Sequence, residues 1–505
     1  MYKLTYHDAV DIFNIQKKYI KKEIKKGHYN DALKDINIAG FWAYSFNFLY
    51  TDPDIENFIR EISNNILSPI DVCGKANTYA IIIKKCFDNR GLQQQYFRAL
   101  AANGAEVLFI IIDDDHLCPD TIKEIDAYEK ATLLILGNGD LSEIDKAKEI
   151  VKVIDRFKPS KILIHSMPDE ITTFIALNAI NGVEKYNINL TDHAYWPGAS
   201  FIDYNIEFRN YGYGISLEKR GFKHSQELTL PYYPISSKYS EFQGFEKVPQ
   251  SKVKIFTGGA YYKMFGENDV FFRLMDKILD ISENVVVLIA GSGDISNMKR
   301  RILSMNNFDR VYLIGNRRDI DSVFDNVDIY LGTYPFPGGL MTQFACQHGL
   351  PVLAYGSIKM PNSKIEGLCN HCSDAVHTYY DQKSLLQYAD KLINNVNFRK
   401  SEGLQVKKAM LTPEKFNSEF WELMNTKKNK WNWTKEDVDY QFFTQWYIDL
   451  ENNYNHFFSR SLIGILKVKF LSRFPGYIPL LIDVCLSYAL AVSYTHLRAH
   501  ETLAN

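Results

Sequence analysis

Short apolar segments alternate with amphipathic segments along most of the chain, and this alternation limits the possible folds most strongly. It begins near Thr78, where "GLQQQYFRALAANG" is one of the segments with helical periodicity. Strands that are apolar almost throughout are typical of parallel sheets covered by helices on both faces. The first apolar runs are YAIIIKK (79–85), EVLFIII (106–112), ATLLIL (131–136), KILIHS (161–166) and KYNINL (185–190). They predict an α/β class with a doubly wound parallel sheet.

The same alternation restarts after a polar segment at 236–252, which we interpret as an interdomain linker. A chain of 505 residues is too long for one compact core. The second series of runs is VKIFTG (253–258), NVVVLIAG (284–291), RVYLIG (310–315), DIYLGT (328–333) and PVLAYG (351–356), with helices predicted at 267–282 and 340–348. We therefore expect two Rossmann-like domains, at 71–240 and 241–400.

Helical segments are predicted at both ends of these two domains. Residues 1–70 read as a helical N-terminal extension that includes "DIENFIREISNNIL", and residues 401–455 as C-terminal helices that include "TPEKFNSEFWELMN". Residues 456–492 form a hydrophobic and basic tail, which could lie in a membrane interface or pack against the N-terminal domain. The last segment, 493–505, resembles translated adapter sequence and is left out of the fold.

Charge and cysteine usage limit the partners and the compartment. A formal net charge of −2 gives no reason to expect a nucleic-acid partner, which would favour a basic surface. Seven scattered cysteines indicate a reducing compartment, and the isolated pair Cys369 and Cys372 is expected to be two reduced thiols. The N-terminus lacks the apolar core of a signal peptide, and no apolar run is long enough to span a bilayer. We expect a cytoplasmic protein with no metal and no cofactor.

Glycines end three consecutive predicted strands in the second α/β unit. Gly258 and Gly259 follow the first strand and precede Lys263, and Gly291 and Gly293 follow the second. Glycine allows backbone to approach a diphosphate closely, and a lysine supplies a compact positive charge. The third strand leads to Arg317 and Arg318, of which one could face the crevice at the carboxyl edge of the sheet.

The segment 328–356 is the most specific part of this unit. A strand runs into a loop that ends at Pro337, and Gly338 and Gly339 then open a helix. Free backbone N–H groups at a helix N-terminus bind anions through hydrogen bonds and the helix dipole. We predict that the diphosphate contacts this helix start, which continues as Leu340, Met341, Thr342 and Gln343.

This segment resembles the donor-diphosphate loop of GT-B glycosyltransferases, including family 4 and the O-linked N-acetylglucosamine transferase type. The resemblance covers roughly residues 78–400 and implies a GT-B fold, in which two Rossmann-like domains face a cleft. It also implies that Lys263 is the lysine that binds the donor phosphates. Retaining family-4 enzymes carry two glutamates where this chain has Phe336 and Phe344. Phenylalanine cannot bind ribose hydroxyls, so we expect Gln343 to take that role and the reaction to be inverting.

The N-terminal unit carries the candidate acceptor residues. Its segment 189–212 also resembles the O-linked N-acetylglucosamine transferase type, and its strand-end residues Asp192 and His193 could act as general base. Asp88 is an alternative base, because the first loop commonly faces the cleft in GT-B enzymes. Further candidate acceptor-binding residues are Asn89, Arg90, Gly91 and His165.

The function predicted from these features is that of a bacterial glycosyltransferase of the hexosyltransferase type. It would transfer a sugar from a nucleotide diphosphate sugar, with UDP favoured, to a glycan, lipid-linked or protein acceptor in polysaccharide biosynthesis. Backbone amides and Lys263 make a metal unnecessary. The alternatives are a GT-B nucleotide-sugar epimerase and a catalytically silent binding module. A peripheral position at the inner face of the plasma membrane is an additional expectation for residues 456–490.

Overall fold

Three helices form an N-terminal layer in the computed structural model of this chain. The structure describes residues 2–86, 92–113, 118–137, 141–236, 241–455, 462–463, 466, 468–483 and 485–486. The helices are α1 (Tyr6–Lys25), α2 (Tyr29–Phe46) and α3 (Pro53–Ile66). Asp52 caps α3 by accepting a hydrogen bond from the backbone of Ile55, and Pro53 occupies its first turn. The predicted helical extension is therefore present.

The first sheet has seven parallel strands and follows this layer. Its strands and a separate two-stranded pair are β1 (Ile70–Asp71), β2 (Thr78–Ile83), β3 (Glu106–Ile111), β4 (Ala131–Ile135), β5 (Lys161–Ile164), β6 (Ile180–Asn181), β7 (Glu184–Ile188), β8 (Tyr204–Glu207) and β9 (Glu227–Thr229). The order across the large sheet is β4-β3-β2-β5-β7-β8-β9, and β1 pairs with β6. The helices between the strands are α4 (Gln93–Ala102), α5 (Pro119–Asp126), α6 (Glu143–Phe157), α7 (Thr172–Ala179) and α8 (Asn210–Lys219).

The second sheet has six parallel strands in the order β12-β11-β10-β13-β14-β15. Its strands are β10 (Val253–Ala260), β11 (Val285–Ser292), β12 (Val311–Gly315), β13 (Ile329–Leu331), β14 (Val352–Tyr355) and β15 (Thr378–Tyr379). The helices that accompany it are α9 (Val270–Leu279), α10 (Ile295–Leu303), α11 (Ile320–Asp325), α12 (Gly339–Gln347), α13 (Glu366–Cys369), α14 (Gln382–Asn394) and α15 (Val396–Ala409). All ten predicted strands are confirmed, as is the doubly wound α/β class.

Two strands of the first sheet were not predicted, because polar side chains interrupt their pattern. The buried residues Asn205 and Glu207 lie on β8, and the buried Glu227 lies on β9. The side-chain amide of Asn205 donates to both glutamates, at 2.8 Å to Glu207 Oε1 and 3.1 Å to Glu227 Oε1. Burial raises the pKa of both carboxyl groups. Asn205 thus satisfies one oxygen of Glu207 and both oxygens of Glu227, which offsets part of the cost of burying them.

The chain returns to the first sheet after the second. Three further helices are α16 (Pro413–Thr426), α17 (Tyr440–Leu450) and α18 (Val468–Arg473), and a π-helical turn spans Glu451–Asn455. Phe416 and Phe420 of α16 pack against Tyr96 of α4, with ring centroids 5.3 and 5.5 Å away. The hydroxyl of Thr444 in α17 donates to the carbonyl of Asn47, at 2.9 Å. Helix α16 thus packs on the first domain and α17 on the N-terminal helices.

The described part of the hydrophobic tail packs against α1 and α2. Arg473 forms a 2.6 Å ion pair with the buried Asp35 of α2, and the hydroxyl of Tyr477 donates to Asp11 of α1. The tail side chains buried in the same hydrophobic core as these helices are Leu462, Leu466, Phe470, Phe474, Tyr477 and Leu480. These side chains therefore pack against the N-terminal helices, which is one of the two alternatives expected for this segment. Within the described residues, no helix is both long enough and apolar enough to cross a membrane.

The carboxyl edges of the two sheets face each other. Arg209, which follows β8, donates from Nη1 to the carbonyl of Asn362, which follows β14. The side chains of Asn210 and Lys364 both bind Glu436, so a third segment joins the two sides. Residues at the ends of parallel strands in both sheets are thereby brought to one cleft.

Candidate functional site

Two glycines allow the ends of the first two strands of the second sheet to approach each other. Gly259 of β10 and Gly291 of β11 are partners in the parallel register, and Gly291 has φ +146°. A Cβ atom on Gly291 would lie 1.9 Å from the carbonyl oxygen of Gly259, which is a severe overlap with backbone. Only glycine fits this strand end, because any added side chain would overlap the backbone of the neighbouring strand.

Replacing Gly291 by alanine is therefore expected to destabilise the second domain. The unfavourable φ costs about 1–3 kcal/mol, and the overlap adds about 1–3 kcal/mol. Chemical denaturation would measure the loss in the free energy of unfolding. The matched control is Gly332→Ala, where the nearest neighbour of an added Cβ is 3.6 Å away. Equal stabilities for the two variants would contradict this account of the strand ends.

Lys263 lies directly beside Gly259 at the end of β10, so the predicted turn at Gly258 and Gly259 is the last part of the strand. It is a half-buried residue of the 3₁₀ turn Tyr261–Met264, and its Cδ atom is 3.8 Å from the place that a Cβ on Gly259 would take. The backbone carbonyl of Lys263 accepts a 3.2 Å hydrogen bond from the amide of Phe336. This hydrogen bond connects the turn Tyr261–Met264, called the lysine turn below, to the loop before α12.

The N-terminus of α12 completes the donor side. Its N-cap residue is Gly338, which has no side chain, so the amides of the first helical turn are not capped from that position. The hydroxyl of Thr342 donates to the carbonyl of Gly338, at 3.1 Å, and holds the turn rather than facing the cleft. A Cβ on Gly258 would lie 3.2 Å from the Cε atom of Met341. The glycines at the end of β10, the Lys263 side chain and the start of α12 therefore lie beside one another.

Two residues predicted for the donor side already bind other groups of the protein. Gln343 is fully buried and donates to the carbonyl of Leu368, at 2.9 Å, so it lies inside the domain and not at the cleft. Arg317 forms a two-pronged ion pair with the buried Asp319 and donates to the carbonyl of Gly244. Burial alone would raise the pKa of Asp319, but Arg317 outweighs it and lowers that pKa. Arg317 thus anchors the segment before the second sheet.

The remaining predicted donor-side residues differ in how far they reach the surface. Arg318 and Gly293 are exposed, and Pro337, Gly339, Leu340 and Met341 are half-buried around the start of α12. Gly293 approaches Tyr261, because a Cβ there would lie 3.3 Å from the Cβ of that tyrosine. The exposed strand end and the half-buried helix start form the wall of the cleft on this side.

On the opposite side, Asp192 and His193 follow β7, and their side chains contact each other. Asp192 is buried and forms a 2.5 Å ion pair with Arg209, and its other carboxylate oxygen lies 3.2 Å from Nδ1 of His193. Burial alone would raise the pKa of Asp192, but Arg209 and His193 outweigh it and lower the pKa well below its usual range. Asp192 is therefore ionised at any physiological pH and can fix the orientation of the imidazole.

The backbone of this loop is fixed by a buried arginine. Nη2 of Arg220 lies 2.7–3.1 Å from the carbonyl oxygens of Thr191, Asp192 and Ala194. The His193 side chain is 34% exposed, and its ring centroid lies 5.9 Å from that of Tyr44 in α2. Its Nε2 atom makes no hydrogen bond within the described part of the chain. His193 thus keeps one ring nitrogen that is not used within the described part of the chain, on a partly exposed side chain.

The other predicted acceptor-side residues divide into two groups. Asp88, Asn89, Arg90 and Gly91 lie outside the described residues. His165 is buried, burial lowers its pKa to about 3, and neither ring nitrogen has a partner in the described part of the chain. His165 is therefore a neutral side chain in the interior.

Several residues that line the cleft were not predicted from the sequence. Arg209 follows a strand that was itself missed. Tyr262 of the lysine turn and Tyr447 of α17 lie against Phe336, and Tyr44 of α2 lies against His193, although roughly 200 positions separate one tyrosine from the next in sequence. The 14% aromatic content was the only signal, and it does not single out these positions.

Comparisons with known proteins identify the fold. No protein-family model matches the sequence, and no curated protein matches it. Among solved structures, a mutant O-GlcNAc transferase from Thermobaculum terrenum is 14% identical with a TM-score of 0.53, covering 86% of this chain and 85% of that chain. TarM is 10% identical with a TM-score of 0.52, covering 70% and 99%. A glycosyltransferase from Rickettsia africae is 11% identical with a TM-score of 0.50, covering 68% and 97%.

These likenesses agree with the arrangement of the two parallel sheets across a cleft. The chain has the two-domain GT-B glycosyltransferase fold that the sequence resemblance implied, with added helices at both ends.

Proposed function

We propose that this GT-B chain is a glycosyltransferase that moves a hexose from a nucleotide diphosphate sugar, UDP favoured, to an acceptor hydroxyl. One arrangement carries the proposal: the glycine end of β10, Lys263 and the start of α12 lie together in the second domain, and the Asp192–His193 pair follows β7 of the first domain, where Arg209 joins the two carboxyl edges. An anion site opposite a candidate base is the arrangement that group transfer from a diphosphate requires.

The donor diphosphate would lie at the N-terminus of α12. Three amides of the first helical turn and the Lys263 ammonium supply hydrogen bonds and positive charge there. These groups stabilise the charge that develops on the diphosphate as it leaves. Because they are part of the protein, we propose that the transfer requires no metal ion.

The acceptor hydroxyl would be activated by His193. Its Nε2 takes the hydroxyl proton as the acceptor oxygen bonds to the anomeric carbon, and the bond from that carbon to the diphosphate breaks with its electron pair leaving on the diphosphate. Asp192 does not receive the proton; it holds Nδ1 and stabilises the imidazolium, as its buried pairing with Arg209 keeps it ionised. Attack opposite the leaving group inverts the anomeric configuration.

Residues Phe336 and Phe344 support inversion over a retaining family-4 reaction. Phe336 packs on Trp446, with centroids 4.5 Å apart, and Phe344 is buried against Phe324. Neither position offers a carboxylate. Ribose binding is therefore assigned to backbone groups or other side chains at the sheet edge rather than to Gln343, which lies in the interior.

Thermal unfolding with a panel of nucleoside diphosphates tests the proposal. A ligand that binds only the folded state raises the melting temperature, by an amount that follows its concentration relative to Kd. We expect UDP to stabilise the protein more than GDP, ADP or CDP, and UDP more than UMP, since the second phosphate adds the contacts at α12. No stabilisation by any nucleoside diphosphate would contradict the proposed donor site.

We also propose that the protein binds peripherally at the inner face of a bacterial plasma membrane, consistent with a lipid-linked or glycan acceptor. The outward side of the tail exposes four large apolar side chains: Leu471, Ile478, Ile482 and Leu486. Tyr19 of α1 donates to the carbonyl of Ser472, and the Lys22 ammonium lies 5.9 Å from the Tyr19 ring. Apolar and basic groups on one surface are attracted to anionic bilayers.

Flotation with anionic vesicles is expected to lose most bound protein when Ile478 and Ile482 are both changed to serine. If each side chain contributes about 1 kcal/mol on insertion, binding falls roughly thirty-fold. The matched control changes Ile295 and Leu303, which are exposed on the second domain, to serine. Point variants are preferred to truncation, because removing the tail would uncover the apolar faces of α1 and α2. Equal flotation of both double variants would contradict the membrane proposal.

A further inference from the structure

Three tyrosines from distant parts of the chain lie against Phe336 or His193. Tyr44 belongs to α2, Tyr262 to the lysine turn, and Tyr447 to α17. The Tyr262 and Tyr447 rings both lie against Phe336, with centroids 5.6 and 5.8 Å away, and the Tyr44 ring lies 5.9 Å from His193. Tyr44 and Tyr447 come from helices added to the two sheets. The tyrosine wall, formed by these three tyrosines and Phe336, therefore depends on contacts between both ends of the chain and the second domain.

Burial is the main cause that raises the pKa of all three phenol groups. Burial first, and then Tyr262 and Asp192, raise the pKa of Tyr44 to about 12. Burial, Tyr44, Tyr50, Tyr262 and Asp192 together raise the pKa of Tyr447 well above its usual range. All three hydroxyls are therefore neutral at physiological pH, and each can both donate and accept a hydrogen bond.

These hydroxyls are not used to hold the fold. None of them makes a hydrogen bond within the described part of the chain. Tyr262 is 45% exposed, and Tyr44 and Tyr447 are half-buried. By contrast, Tyr334 and Tyr440 donate to Glu267 and Glu218. Polar groups partly withdrawn from water, without a partner in the protein, gain most from a ligand that hydrogen-bonds to them.

The same wall offers aromatic surface. Phe336 is half-buried between Tyr262 and Trp446, and the Trp446 centroid is 4.5 Å from its own. A ligand that fits both features has an apolar ring face and hydroxyl groups on its edge. A pyranose ring has this character, because its C–H groups contact aromatic faces while its hydroxyls reach the phenols. A peptide or an acyl chain lacks the repeated hydroxyls.

We infer that Tyr44, Tyr262 and Tyr447, with the ring of Phe336, bind a pyranose residue of the acceptor, so that the acceptor of this enzyme is a carbohydrate. This inference rests on the proposed function, since it assigns the acceptor to the same cleft. The site belongs to the acceptor rather than to the donor sugar because it adjoins His193 and takes two of its tyrosines from α2 and α17.

Saturation-transfer NMR on the UDP-bound full chain tests the inference. The probes are methyl glycosides of glucose, galactose, mannose and N-acetylglucosamine, with the tetrapeptide Ala-Ser-Thr-Ala as a peptide probe. At least one glycoside should receive saturation and the peptide should not. Tyr44→Phe and Tyr447→Phe should each weaken glycoside binding about 2- to 10-fold, the range for one lost hydrogen bond. The control is Tyr6→Phe, on the exposed start of α1.

Thermal stabilisation by UDP, measured on the same samples, separates the two conclusions. Intact stabilisation with no glycoside signal, or with equal signals in all variants, would overturn the carbohydrate site and leave the proposed donor site standing. Absence of UDP stabilisation with retained glycoside binding would contradict the donor site alone. A glycoside signal that disappears when a UDP-sugar replaces UDP would assign the ring to the donor sugar and overturn the inference.

Discussion

Replacing His193 by alanine is expected to lower kcat for sugar transfer by roughly 10²–10⁴-fold, the usual contribution of a general base. An acceptor hydroxyl is a poor nucleophile until its proton is removed, and His193, next to Asp192, keeps a ring nitrogen that is not used within the described part of the chain. UDP affinity should be nearly unchanged, because the imidazole does not belong to the diphosphate site. Transfer rates and a UDP titration on the same variant would show whether kcat falls while the affinity for UDP is retained.

Two further variants locate the base. Asp192→Asn should lower kcat as well, but it also leaves the buried Arg209 without its ion-pair partner, so its stability must be measured beside its activity. Asp88→Asn tests the rival position in the first loop. If only the Asp88 change abolishes transfer, His193 is not the base. A product that keeps the anomeric configuration of the donor would contradict the inverting mechanism, whatever the variants show.

Replacing Lys263 by alanine is expected to weaken donor binding by about 1.5–3 kcal/mol, the usual value of a charged hydrogen bond. This corresponds to a roughly 10- to 150-fold higher Kd for UDP. The Lys263 side chain lies beside Gly259 at the end of β10. Its backbone carbonyl accepts a hydrogen bond from Phe336, in the loop that leads into α12. Calorimetric titration with UDP would measure the change.

Lys391→Ala is the matched control, because this lysine lies exposed in the last turn of α14. UMP adds a second comparison. The loss on changing Lys263 should be larger for UDP than for UMP, since the outer phosphate carries most of the charge near the lysine. An unaltered Kd for UDP would remove Lys263 from the donor site.

The local part of the fold could be predicted from the sequence, because each element carries its own pattern. Apolar runs such as 79–85 and 284–291 became β2 and β11 with shifts of one or two residues at their ends. The strand β8 escaped because Asn205 and Glu207 are buried by pairing with each other and with Glu227, which lies about twenty positions later. A pattern that depends on a partner elsewhere in the chain is not visible in one segment.

The same distinction applies to the candidate site. The glycine-rich strand ends and the start of α12 are local features, although β10 and β11 run through Gly258, Gly259 and Gly291, which the sequence had placed in turns after the strands. The directions of the side chains could not be predicted from the sequence. Gln343 faces the interior, where the carbonyl of Leu368 accepts its hydrogen bond, and Arg317 forms an ion pair with Asp319. The tyrosine wall depends on α2 and α17 folding back over the cleft, which is a contact between the two ends of the chain.

The central claim, that this GT-B chain transfers sugar from a nucleotide diphosphate sugar, is tested most directly by nucleotide release. The purified full chain is incubated with individual UDP- and GDP-sugars and a pool of oligosaccharide acceptors, and free UDP or GDP is measured over time. We predict acceptor-dependent release of UDP from one UDP-sugar, strongly reduced in the His193→Ala and Lys263→Ala variants. A protein that binds UDP but releases no nucleotide from any sugar donor would contradict the claim and identify a binding module instead.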